Sequence, residues 1–210
     1  MKIAWLAESP ADEEVLKILT ETILKQETQR ITYQGLRSRG WHPVMQVLPA
    51  VIKELHNHTE AAGLVVIVDS NGSLPHVPEH DSAAKPECRL CRLRRIAKET
   101  LGNVRPRANL PPLKVALGLA IPAIEAWLLC GTDARVSEAA WSNGLKESPR
   151  RMPYSKEDLK RSLYGTSHPS QAVKATAMSA AVNRLSKNLS LLEAQFPHGL
   201  GALARDLRRW

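Results

Sequence analysis

Glu8, Asp12, Asp69 and Glu125 are acids that stand at or just beyond apolar segments, and Asn71 follows Asp69 by two residues. Carboxylates gathered in one crevice repel one another, so a cluster of them implies raised pKa values or a bound cation. Hard oxygen donors with no histidine close by in sequence favour Mg2+ or Mn2+. An ion held there polarises a phosphoryl oxygen and lowers the pKa of an attacking water, and two ions stabilise attacking and leaving oxygens together. The chemistry within reach is hydrolysis of a phosphate ester, provided the chain brings these residues together.

Strands would do that. Residues 2–7 (KIAWLA) read as a short buried strand, and Ser9-Pro10-Ala11-Asp12 as a helix start, with Ser at the N-cap and Pro in the first helical position. Val15, Leu16, Leu19 and Ile23 then recur on one helical face. Residues 64–68 (LVVIV) form an unbroken β-favouring run that ends in Asp69, and residues 114–120 (KVALGLA) form another, followed by a helix that contains Glu125. Runs without alternation belong to strands covered on both faces, as in parallel sheets. A further strand around 31–36 stays open. Helices are expected over 44–58 and 87–101, the second after a polar loop, and only helical patterns follow residue 134. The alternation predicts an α/β fold: a Rossmann-like parallel sheet flanked by helices over 1–133, with 74–101 as an excursion, and a basic helical region over 134–210. In such sheets ligands bind beyond the carboxyl ends of the strands, where Glu8, Asp69 and Glu125 would converge.

Three segments resemble a known family. Residues 7–16 (AESPADEEVL) resemble the first TOPRIM motif, a strand-ending Glu followed four residues later by an acid at a helix start; residues 65–72 (VVIVDSNG) resemble the second, Asp-x-Asp. Residues 121–130 (IPAIEAWLLC) resemble the Glu-centred helix of a TOPRIM-like group that accompanies ATPases in bacterial phage-defence operons and is related to OLD-type nucleases, and residues 196–210 have the look of the same group. The resemblance implies a TOPRIM fold, with Glu8 as metal ligand or general base, Asp12 as second-metal ligand, Asp69 as central ligand, Asn71 in the second Asp position and Glu125 as an additional acid. It implies an anti-phage setting and an ATPase partner. Ser9 stands where the family has glycine, and Asn71 where it has aspartate. Topoisomerase chemistry needs a tyrosine on further domains and primase chemistry a template-binding module; neither is found, so nuclease remains. The alternative is a catalytically inactive TOPRIM-like module that binds nucleic acid or docks an ATPase.

Plainer readings stand beside these. Asp12 suits a helix N-terminus for its charge alone, 69–72 are all turn formers, and Glu125 could pair with a buried Arg or Lys. His76, His80, Cys88 and Cys91 form H-x3-H-x7-C-x2-C, donor types that suit Zn2+, although the spacing is unusual and the two cysteines fall one helical turn apart, where small residues simply pack. The helix at 87–101 carries Arg89, Arg92, Arg94, Arg95 and Lys98, which together with Arg150 and Arg151 are the candidates for contacting phosphates.

Composition sets the outer bounds. The chain has 210 residues, 43% hydrophobic and 24% charged, as in globular proteins. From Trp141 onward twelve lysines and arginines face five acids, so nearly all of the formal +8 sits there, a field that attracts polyanions. No apolar run is long enough to span a bilayer, and three cysteines argue against a disulfide framework; a cytoplasmic protein is expected, with homo-oligomerisation left open. Phosphate-loop, nucleophile-elbow and dinucleotide glycine patterns are missing.

Overall fold

A computed structural model describes residues 1–33, 40–147 and 152–210. The chain runs through β1 (Lys2–Leu6), α1 (Pro10–Leu24), β2 (Gln29–Arg30), α2 (Trp41–His58), β3 (Gly63–Asp69), α3 (Glu79–Ser82), α4 (Arg89–Gly102) and β4 (Lys114–Ala120). It continues through α5 (Ile124–Leu128), α6 (Glu138–Glu147), α7 (Lys156–Tyr164), α8 (Gln171–Leu185), α9 (Leu189–Gln195) and α10 (Leu200–Leu207). All four strands are parallel, in the order β2-β1-β3-β4. This is the α/β parallel sheet that the apolar runs predict.

Parallel strands need covering on both faces. Helix α2 packs against β3 and α4, and α4 against β4; on the other side α1 packs against β1 and α10, and α10 lies along β4. Leu64, Val65, Val66, Ile67 and Val68 of β3 are each at most 2% exposed, and each such side chain contributes about 1.5–3 kcal/mol by leaving water. Helix α1 starts as its sequence dictates: Ser9 Oγ accepts the Asp12 N–H at 3.3 Å, and Pro10 opens the first turn. The edge strand lies at Gln29–Arg30 rather than around 31–36; it is short and exposed, and its pairing with Lys2 and Ile3 leaves no apolar signature. Residues 34–36 of that expected strand lie outside the described residues.

The C-terminal segment is built into the sheet layer. Ring atoms of Trp210 lie so close to Gly63 that a Cβ there would approach them to 2.3 Å, so only glycine fits, and Lys114 Nζ donates to the Trp210 carbonyl. Glu138, 2% exposed, accepts the N–H groups of His198 and Gly199 through Oε2, both at 3.1 Å, while its Oε1 has no hydrogen-bond partner among the described residues. Burial pushes its carboxyl from 4.5 up to about 7 against the pull of those two N–H groups. Below pH 4.5 the group is protonated in both folded and unfolded chains and stability is whole. As pH rises to about 7 the unfolded chain releases its proton first and stability falls, by at most about 3 kcal/mol. Glu138→Gln keeps an acceptor oxygen and removes the charge. The variant is expected to match wild type at pH 4.5 and to be more stable at pH 8, by about 1–3 kcal/mol in urea denaturation; equal stabilities at both pH values would contradict this.

Candidate functional site

The chain reverses its winding direction at β1: the first crossover leads to β2 on one side and the next leads back to β3 on the other. The carboxyl ends of β1 and β3 thereby stand at the switch point of the sheet, where open parallel sheets take their ligands in a crevice. Glu8 lies two residues beyond β1, and its Oε1 accepts the N–H of Asp69 at 2.9 Å. Asp69 ends β3; its Oδ1 accepts the Ile124 N–H at 3.1 Å and its Oδ2 pairs with Lys156 Nζ at 2.8 Å. Asn71 has a left-handed φ of 50°, which asparagine tolerates, and its Oδ1 accepts a hydrogen bond from the same Lys156 Nζ at 2.6 Å. Glu125, in the first turn of α5 and 7% exposed, accepts from the Tyr164 hydroxyl at 3.3 Å.

The acids feel one another. Burial first and the Asp69 charge second raise the Glu8 and Glu125 carboxyls above the ordinary glutamate range. Burial likewise carries Asp12 from 3.8 to about 7, helped by the charges of Asp69, Glu125 and Glu8. Four carboxylates from four chain segments thus share one electrostatic neighbourhood. Among the described residues no lysine or arginine forms an ion pair with Glu8, Asp12 or Glu125, whereas Asp69 has Lys156. Burial alone would lower the Lys156 ammonium, but Asp69, Glu125 and Glu8 together hold it above its ordinary value.

Helix α7 is the contributor that the sequence reading passed over. Ser155 and Asp158 cap it reciprocally, fixing its start. Lys156, Lys160 and Tyr164 follow at four-residue intervals, one helical face, and that face meets the acids: Lys156 touches Asp69 and Asn71, Lys160 is felt by Glu125, and Tyr164 bonds Glu125. Ser155-x-x-Asp158 followed by this spacing was the available signal. A partner 87 residues away was not readable from it.

The basic helix, α4, divides its charges. Arg89 Nη1 donates to the Asp69 carbonyl at 2.6 Å, and its guanidinium lies 4.9 Å from the Trp41 ring centre. Arg94 pairs with Asp81. These two therefore serve internal contacts, whereas Arg95 and Lys98 are exposed and Arg92, half-buried, lies over Trp41. Arg150 and Arg151 lie outside the described residues. Trp5, Trp41, Trp127 and Trp141 are all buried, as packing residues.

A second cluster lies at the α4 start. His76, His80, Cys88 and Cys91 are buried, and one donor atom from each lies within 4.8 Å of all the others. The set could hold a metal ion.

No family model, no curated protein and no solved structure matches this chain. No described helix is long and apolar enough to cross a membrane.

Proposed function

We propose that the chain is a metal-dependent nuclease that hydrolyses phosphodiester bonds of DNA or RNA at the crevice formed by Glu8, Asp12, Asp69 and Glu125. One observation carries this reading: four buried or half-buried carboxylates meet at the carboxyl end of a parallel sheet with three of their pKa values pushed up. Burial first and mutual repulsion second penalise their ionised forms, a penalty that a bound cation would offset.

The donor set fits a hard divalent ion, Mg2+ or Mn2+, because every donor is oxygen. Glu8, Asp12 and Glu125 would hold it, with Asp69 and Asn71 sharing Lys156 beside it. Such an ion, when bound, supplies polarisation of the phosphoryl oxygen and a more acidic attacking water. The chain's own groups do the rest. Asp12, which burial and the neighbouring carboxylates push up to about 7 when no cation is present, would lose its proton as the ion binds, so metal affinity should rise with pH through neutrality. The ammonium of Lys156 suits charge developing on phosphoryl oxygens. Exposed Arg95 and Lys98, with the basic residues beyond Trp141, suit a polyanionic strand held through its phosphates. The soft donors at 76, 80, 88 and 91 suit Zn2+ instead. The resemblance to TOPRIM-like proteins adds the setting to the same proposal: an effector in anti-phage defence, working beside an ATPase.

The test is cleavage of labelled DNA and RNA by the purified chain with Mg2+, with Mn2+ and with EDTA. Cutting with either ion, none in EDTA, and loss in Glu8→Ala is the expected pattern, weakening steeply with salt. Cutting that survives EDTA or Glu8→Ala would discard the crevice.

A second reading has its own observation. Lys156 already neutralises Asp69 and engages Asn71, as an internal cation would in an inactive module that binds nucleic acid or docks an ATPase. Calorimetry separates the two: such a module binds DNA with no heat of metal binding at the crevice.

A further inference from the structure

We propose that His76, His80, Cys88 and Cys91 hold one structural zinc ion, which fastens the connection between β3 and α4 and sets Arg89 against the carboxyl end of β3. The donors are already spaced for it. With Zn–S near 2.3 Å and Zn–N near 2.0–2.1 Å, a tetrahedral site has S to N edges of about 3.6 Å. Nδ1 of His76 lies 3.6 Å from Cys88 Sγ and 3.7 Å from Cys91 Sγ. The widest separation in the set, within 4.8 Å, closes with a shift of about 1 Å.

Packing of small side chains does not account for the arrangement. It would leave a buried imidazole with a polar atom unmet: among the described residues His80 Nδ1 has no hydrogen-bond partner, a cost that a metal bond removes. His76 is further oriented: its Nε2 pairs with Asp81 Oδ1 at 3.1 Å, and Arg94 holds that carboxylate in turn. Arg94 Nη1 also lies 3.2 Å from that nitrogen; with the Asp81 carboxylate accepting from Nε2–H, Nδ1 is offered to a metal, the usual support of a histidine ligand. The three cysteines are free thiols, and Cys130 stands apart from the cluster. Four protein donors leave no open position, so the ion is structural rather than catalytic.

The position explains the need. Between β3 and α4 the chain has only the four-residue α3 as regular structure, too little to fix its own path. Cys88 is the N-cap of α4, and the next residue, Arg89, reaches the Asp69 carbonyl and the Trp41 ring. An ion on Cys88 thereby anchors the side of the acidic crevice.

Elemental analysis of the full chain, purified without chelator, is expected to give about one zinc per chain in wild type and in Cys130→Ser, and below about a tenth in Cys88→Ser and Cys91→Ser. Ligand variants can fail to fold, so the wild-type chain is also stripped and titrated with Co2+. Intense visible bands of tetrahedral thiolate coordination should saturate near one equivalent and vanish on adding Zn2+. Hydrogen exchange over residues 74–92 should slow about tenfold or more when Zn2+ is restored. A zinc-free wild type, a pale octahedral cobalt spectrum, or a Cys88–Cys91 disulfide in the isolated chain would each overturn the assignment, and none of these readouts depends on nuclease activity.

Discussion

Asp69→Ala is expected to abolish metal-dependent cutting, by on the order of 10²–10³-fold or more, because its side chain lies among the other three acids and fixes what surrounds them. Asp69 is the largest charge acting on Glu8, Asp12 and Glu125 alike. Removing it lets those carboxyls relax toward their ordinary ranges and weakens the demand for a divalent ion. It also frees the Ile124 N–H and leaves the Lys156 ammonium, 30% exposed, with Asn71 as its remaining hydrogen-bond partner. Partial exposure of the pair moderates the loss of stability to about 2 kcal/mol. Asp69→Asn separates the two effects in part: its one amide oxygen keeps an acceptor for either the Ile124 N–H or the Lys156 ammonium, though not for both, so it should melt between wild type and the alanine variant while cutting as poorly as the alanine variant. Rates within threefold of wild type in both would show that the crevice is not where the bond breaks.

Lys156→Met should tighten Mn2+ binding at least tenfold in calorimetry. An ammonium beside a divalent ion repels it by several kcal/mol at an effective dielectric of about 20, and even a third of that surviving solvent screening exceeds a tenfold change in affinity. Methionine keeps the stem of the lysine and removes its charge. Without metal the variant should melt below wild type, since Asp69 loses its counter-ion, and saturating Mn2+ should restore it by mass action. Unchanged or weaker Mn2+ affinity would place the divalent ion elsewhere and support the second reading, a binding module whose acids are balanced from within.

Those two expectations rest on unequal foundations in the sequence. The strands over 2–6, 63–69 and 114–120 were readable because strands buried on both faces need unbroken apolar runs, and Glu8, Asp69 and Glu125 followed from where such runs stop. Ser9 and Pro10 announced α1 through chemistry confined to one turn. Strand β2 was not readable in this way: two exposed residues become a strand only because β1 offers an open edge. Lys156 was readable as a helical residue near a capping box but not as the neighbour of Asp69, for nothing local encodes a contact across 87 residues. The turn of Arg89 and Arg94 away from solvent has the same origin, since their partners are the Asp69 carbonyl at the end of β3 and Asp81 in the connection before α4. Spacing alone made the four zinc-type donors look unusual; the fold of that connection is what gathers them.

The lodging of α10 along β4 has a bearing on how the polypeptide is born. Ala120 ends the strand and Leu200 opens the helix that covers it, with Leu203 seated against Gly118. At a synthesis rate of about 5–20 residues per second, the intervening stretch of roughly eighty residues keeps the ribosome occupied for on the order of ten seconds. Throughout that interval the nascent sheet shows one greasy flank to water, a window in which a holdase has something to grip.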